Sequence, residues 1–220
     1  MVEILDTRVK VLSTHTHSQT PKLAKDNICY LLPDFGDSLQ LNINDILSSI
    51  ELDKHITGSN RYTAYYGNLP YSFYHIITHI YHLPYNYSYA HHEALSLSES
   101  PVIKTCLDAV NEVFQHAEVN SVLVNYYPDG SSKINFHSDD EDDIDDNSFI
   151  FTLSFGHSRT IIFRTLERKK HVAKISLKDR SILLFSKASQ HLFQHAIQPE
   201  TGVSERISLT FRKLKDKSVY

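Results

Sequence analysis

The run Arg206-Ile207-Ser208-Leu209-Thr210-Phe211-Arg212 carries two opposed faces. Alternate residues of an extended strand point to opposite sides. Ile207, Leu209 and Phe211 therefore form an apolar face suited to a core, while Arg206, Ser208, Thr210 and Arg212 share the other. Two guanidinium groups inside a barrel are prohibitive to bury without an anion. A dicarboxylate supplies one, because the planar guanidinium fork binds a carboxylate through two hydrogen bonds. The competing arrangement pairs these arginines with Glu200 or Glu205 at the surface.

The same period extends upstream. Val122, Val124 and Tyr126 alternate with Leu123, Asn125 and Tyr127, and the turn Pro128-Asp129-Gly130 follows. Further short strands are predicted at Ile134–His137, 149–155, 160–164, 172–177, 182–185, 194–197 and 206–213. Before them, residues 101–116 read as a helix. Ser100 suits its cap and Pro101 its first position, and Val102, Ile103, Cys106, Leu107, Val110, Val113 and Phe114 make one apolar face. Ile43, Ile46, Leu47 and Ile50 space a shorter helix between 41 and 52. Residues 61–89, rich in Tyr, His and Pro, read as loops and short strands, and 1–26 as an N-terminal arm. Helices followed by many short strands predict an α+β chain, a double-sheet roll with helices on one side.

Within that pattern, His137 and Asp139 lie two residues apart at the end of a predicted strand and aim at one point. His195, on a distant strand, is the best-placed third ligand. Two imidazoles and one carboxylate make a facial triad for iron(II), leaving positions open for an organic co-substrate and O2. With the arginines, this suggests a non-haem iron oxygenase. Among 14 histidines a His-x-Asp pair also arises by chance. His157, His171 and His191 lack a carboxylate two residues on, and His91 has Glu93 but no strand around it. The acidic run 139–146 reads as a loop. It lacks the glycine of an EF-hand, and neither a phosphate-cradling glycine loop nor a Gly-x-Ser-x-Gly elbow occurs.

The 220 residues fit one domain with an adequate core. Cys29 and Cys106 form no Cys-x-x-Cys pair, so reduced thiols are expected and a zinc ribbon is excluded. No signal pattern or long apolar run appears, so a nuclear or cytoplasmic monomer away from membranes is expected. The net charge of −4 disfavours a generic nucleic-acid binder, but it is uneven. Residues 139–146 hold seven carboxylates and no base, whereas 147–220 carry a net +9. Arg159, Arg164, Arg168, Lys169 and Lys170 could follow a phosphate backbone, although from charge alone a solvated surface is the better explanation.

Read in order, Asn125-Tyr-Tyr-Pro-Asp-Gly130, Ile134-Asn-Phe-His-Ser-Asp-Asp-Glu141, Ile150-Phe-Thr-Leu-Ser-Phe-Gly156, Arg159-Thr-Ile-Ile-Phe-Arg164, Ser181-Ile-Leu-Leu-Phe185, His195 and Arg206–Arg212 resemble the AlkB family of Fe(II)- and 2-oxoglutarate-dependent nucleic-acid dealkylases. The likeness spans roughly residues 60 to 213 and is strongest to the eukaryotic repair-type branch. It implies a double-stranded β-helix (jelly-roll) core at 121–214. Helical support and a nucleotide-recognition lid would fill 27–120, and a tail 215–220. It implies His137, Asp139 and His195 as iron ligands, and Asn125, Tyr127, Arg206 and Arg212 as the 2-oxoglutarate pocket. Glu141 would read the exocyclic amino group of a methylated base. Arg61, Tyr65-Tyr66-Gly67, Tyr71 and Phe73 would form the lid, with Phe73 stacking. Ser208 stands where the family often has Asn. The implied reaction is oxidative demethylation of 1-methyladenine or 3-methylcytosine in DNA or RNA, with formaldehyde released. Two other readings share part of the pattern: a 2-oxoglutarate oxygenase acting on protein side chains, and a non-catalytic nucleic-acid-binding module.

Overall fold

The two faces of the 206–212 run separate two layers of the protein. In the computed structural model, which describes residues 2–4, 9–11, 29–52, 59–67, 85–87, 90–92 and 94–215, this run is a fully buried strand. In chain order, strands β1 (Val2–Ile4), β2 (Val9–Val11) and β3 (Cys29–Leu32) precede helix α1 (Ile43–Leu47) and strand β4 (Tyr62–Gly67). The short strands β5 (Tyr85–Tyr87), β6 (Ala90–His92) and β7 (Ala94–Leu95) lead to helix α2 (Pro101–Val113). Strands β8 (Ser121–Tyr127), β9 (Ile134–His137), β10 (Phe149–Gly156), β11 (Arg159–Thr165), β12 (His171–Leu177), β13 (Ile182–Ser186), β14 (Phe193–Ile197) and β15 (Arg206–Arg212) follow.

The strands form a large sheet in the order β2-β3-β13-β10-β15-β8-β4-β7 and a smaller one in the order β1-β12-β11-β14-β9, with β5 paired to β6 alone. This is the jelly-roll architecture, mostly sheet with few helices. Ile207, Leu209 and Phe211 join Val122, Val124, Phe151 and Leu153 in a core that takes in Ile46 of α1 and Ile103, Cys106 and Val110 of α2. On the opposite face, Leu123, Tyr127, Leu183 and Phe185 meet Ile161, Phe163 and Ile175 of the smaller sheet. The helices thus back the large sheet, and the space between the sheets receives the polar face of β15.

Ser100 accepts a hydrogen bond from the Ile103 amide at 3.3 Å, and Pro101 occupies the first turn of α2. The helix stops at Val113, short of 116, because Asn111 turns back onto the Val119 amide and carbonyl at 2.8 and 3.0 Å. Val113, expected on the buried face, is 40% exposed. The stretch 1–26 read as an arm contains two strands: β1 extends the smaller sheet beside β12, and β2 runs parallel to β3. From 27–120, β4 and β7 complete the large sheet beside β8. Among the described residues no helix is long and apolar enough to cross a membrane.

The turn after β8 works only with glycine. A Cβ at Gly130 would stand 1.9 Å from the Glu200 carbonyl oxygen, and that backbone is held by a Glu200 N–H···O bond to Gly130 at 2.9 Å. Gly130→Ala is therefore expected to cost about 3 kcal/mol or more, as severe overpacking against main chain. Urea unfolding of the variant checks this.

Candidate functional site

His137 ends β9, and the antiparallel register places it directly across from His195 on β14. The two rings lie 4.3 Å apart between centroids. The chain then turns, and Asp139 comes back with its Oδ1 at 3.5 Å from His137 Nε2. One potential ligand atom from each of His137, Asp139 and His195 lies within 4.8 Å of the others, the one such cluster among the described residues.

Each ligand is held in a state suited to a metal ion. His137 Nδ1 lies 2.8 Å from the Asn135 carbonyl oxygen. That oxygen can only accept, so the proton sits on Nδ1 and Nε2 keeps its lone pair. His195 is packed between the rings of Phe163 and Phe185 at 5.8 and 5.1 Å. Burial and the neighbouring His137 push its pKa down to about 3, which keeps the imidazole neutral. Burial alone would raise the pKa of the Asp139 carboxyl. The Arg212 guanidinium outweighs it and holds the group well below the usual carboxylate range. Two neutral imidazoles and one carboxylate form a donor set that fits iron(II).

The triad faces a cavity of about 770 Å³ between the sheets, lined also by Asn125, Tyr127, Glu141, Ser208 and Thr210. Its arginines divide in two. Arg212 Nη2 donates to Asp139 Oδ2 at 2.9 Å, both side chains being buried. Arg206 is equally buried; its Nη2 donates to Ser154 Oγ at 2.9 Å, and its Nε and Nη1 have no hydrogen-bond partner. Its guanidinium lies 5.2 Å from the centre of the Tyr127 ring. Burial pushes its pKa down, partly offset by Tyr127. The surface pairing with Glu200 or Glu205 does not occur: Glu200 accepts from the Thr160 amide at 2.6 Å and Glu205 from Tyr126 Oη at 2.9 Å. A buried guanidinium without a carboxylate suits an anionic ligand entering from the cavity.

Asn125 stands beside Ser208 in the sheet register, and its Oδ1 accepts a hydrogen bond from Arg61 Nη1. Arg61, expected in the lid, thus reaches into the cavity wall. Glu141 also lines the cavity, with Oε2 buried and without a partner. Burial and nearby Asp139 raise its pKa against the pull of Arg212.

Two expectations need correction. Tyr66, expected in the lid, lies on the β4 face turned toward the helices and is 1% exposed in that core, because Thr63 and Tyr65 take the cavity side. Arg159, expected to follow phosphates, is a buried clamp whose Nη2 donates to the Ser132 and Gln198 carbonyls at 2.7 and 2.8 Å. Tyr71 and Phe73 fall outside the described residues. The sequence reading missed Lys187 and Gln190, buried in the 3-10 turn Lys187–His191, because only the fold brings that turn against the Asp139 loop. It also missed Thr63 and Lys133, which line the cavity.

Residues 46–212 match the 2OG-Fe(II) oxygenase superfamily. The chain is 34% identical over 122 residues to the DNA oxidative demethylase ALKBH2 of Mus musculus, covering 52% of this chain and 51% of that protein. It is 30% identical over 165 residues to the Mus musculus alpha-ketoglutarate-dependent dioxygenase alkB homolog 3, covering 69% of this chain and 51% of that protein. The chain thus spans about half the length of these relatives. The solved structure of OsALKBH1 superposes with a TM-score of 0.51 at 16% identity, covering 88% of this chain and all of that one, a likeness of fold.

The different settings of the two arginines predict opposite stabilities. Arg212→Met strands the buried Asp139 carboxylate and is expected to cost about 3–5 kcal/mol. Arg206→Met removes a buried charge that lacks a carboxylate and should leave the metal-free chain as stable as wild type or more so. Thermal unfolding in the absence and presence of 2-oxoglutarate checks both, with ligand stabilisation lost in Arg206→Met.

Proposed function

Because the chain belongs to the AlkB family of the 2OG-Fe(II) oxygenase superfamily, we propose that it oxidatively demethylates N-methylated bases of the 1-methyladenine and 3-methylcytosine type in DNA or RNA. The observation that carries this reading is the pairing within one cavity of a His137–Asp139–His195 donor set with a buried Arg206 that lacks a carboxylate partner. His137, Asp139 and His195 would hold the iron, which with 2-oxoglutarate and O2 supplies oxidation of a methyl C–H bond. Arg206 would take the distal carboxylate of 2-oxoglutarate, assisted by Tyr127 and Asn125. Arg212 holds Asp139 and so orients one ligand.

Glu141 supports a nucleobase as the substrate. Its carboxyl lies on the same cavity wall as Asp139 and keeps a buried oxygen without a partner. An exocyclic amino group, the donor displayed by adenine and cytosine, would satisfy that oxygen. Reaching it requires the base to leave its stack, which costs a few kcal/mol in a duplex and less in a single strand. Leu123, Ile161 and Ile197 supply apolar wall that a base could pack against. Outside, Arg168, Lys169 and Lys170 form an exposed basic turn between β11 and β12, suited to phosphate contacts. The names of the mouse relatives describe one as a DNA oxidative demethylase and the other as an alpha-ketoglutarate-dependent dioxygenase.

The test is turnover of single-stranded DNA and RNA oligonucleotides carrying 1-methyladenine or 3-methylcytosine, with iron(II), ascorbate and 2-oxoglutarate. Formaldehyde release and the loss of one methyl group by mass spectrometry are expected from wild type, with neither from His137→Ala. Succinate formed without base repair would move the substrate to protein or another modification. In the same assay, Lys169→Gln with Lys170→Gln should lower the slope of log KM against log salt concentration by about 1 per lysine removed.

A further inference from the structure

Lys187 and Gln190 lie in the 3-10 turn between β13 and β14, only 2% and 1% exposed. Lysine is almost never so buried unless paired. The Lys187 ammonium group donates to the Glu141 main-chain carbonyl at 2.9 Å. Gln190 Oε1 accepts the Asp139 amide N–H at 3.0 Å, while its Nε2 donates to Ser189 Oγ at 3.1 Å. The turn that presents both groups is itself fastened. Ser186 Oγ accepts from the Ser189 amide at 3.1 Å, and Ser189 Oγ donates to the Ser186 carbonyl at 2.7 Å.

These contacts have a direction. Asp140, Glu141 and Asp146 surround Lys187, yet its hydrogen bond goes to a carbonyl, so it fixes the path of the chain rather than neutralising one carboxylate. Gln190 likewise grips the backbone of the residue whose side chain belongs to the triad. Four residues after this turn's last residue the chain reaches His195 on β14. One turn therefore registers Asp139, just past β9, against His195 on the neighbouring strand β14. We propose that Lys187 and Gln190 are positioning residues of the metal site, with Gln190 setting Asp139 and Lys187 holding the loop between Asp139 and Glu141. This rests on the metal reading of His137, Asp139 and His195.

Cobalt(II), which takes iron(II) sites without consuming O2 and absorbs visible light there, tests the clamp in the full chain with no nucleic acid present. Gln190→Met keeps the side-chain length and removes the acceptor. It should raise the cobalt dissociation constant about 10–100-fold, the range of outer partners of metal ligands. Lys187→Met should raise it by a smaller factor of about 3–10 on the same scale. Circular dichroism establishes that each variant is folded before titration. Should Gln190→Met not fold, Gln190→Asn keeps the amide, draws it back by one methylene, and reads the same shift in milder form. A merely structural role would lower the melting temperature of the metal-free chain and leave the dissociation constant unchanged. A folded Gln190 variant within twofold of wild type overturns the proposal. A wild-type chain with no affinity for cobalt overturns it together with the metal reading. Weakened cobalt binding in the variants upholds the clamp even if no methylated oligonucleotide is turned over, an outcome that would count against the proposed function alone.

Discussion

Asp139 and Arg212 meet at 2.9 Å with almost no solvent exposure, and much of the architecture converges on that contact. Asp139 follows β9, the edge of the smaller sheet, while Arg212 ends β15 within the large one. The pair therefore ties the sheets together in the cavity wall. Burying two charges costs several kcal/mol per ion, so such a pair adds little net stability compared with apolar packing. What it supplies is orientation. With Oδ2 given to Arg212, the other oxygen of Asp139 faces His137. His137 is turned by the Asn135 carbonyl and His195 is wedged between Phe163 and Phe185, so all three donors are arranged before any ion arrives.

The acidic run beside the triad shows how a highly charged loop is held without a core of its own. Ile144, the one apolar residue of 139–146, is 1% exposed and bridges in antiparallel fashion to Leu214. The Asp145 amide donates to the Lys213 carbonyl, and the Lys215 amide to that of Asp143, at 2.9 and 2.8 Å. Lys213 and Lys215 also pair with Asp145 and Asp146 at 3.7 and 2.9 Å. Exposed ion pairs contribute about 0–1 kcal/mol each, so Ile144 and the backbone bonds hold the loop. Part of the basic excess downstream is thereby matched to acidic excess, and Arg159 is spent on backbone carbonyls. The turn at Arg168–Lys170 stays exposed.

Local pattern made much of the fold legible. Strand periods at 121–127 and 206–212 assigned faces correctly because each side of the large sheet meets a different layer: apolar toward the helices, polar toward the cavity. Ser100 and Pro101 marked the start of α2 through cap chemistry that depends on neighbours in sequence. Its end was less legible, since Asn111 terminates the helix through a loop eight residues on. Tyr66 was misplaced for a related reason. In Tyr65-Tyr66 both side chains are alike, and only pairing of β4 with β8 decides which one faces the helices.

The amino-acid sequence by itself determined the chemistry available to this protein: the His137–Asp139 spacing, the alternation that puts Arg206 and Arg212 on one face, and the family to which those motifs belong. These are properties of residue type and short-range geometry, and a strand's two-residue repeat carries them directly. Tertiary structure alone decided how the like residues divide. It sent Arg212 to Asp139 and left Arg206 without a carboxylate partner, placed Arg159 in a clamp rather than on the surface, and brought Lys187 and Gln190 against the Asp139 loop. The reason is that a buried charge takes its role from whatever the fold sets within about 3 Å of it, and those neighbours come from strands far apart in the chain.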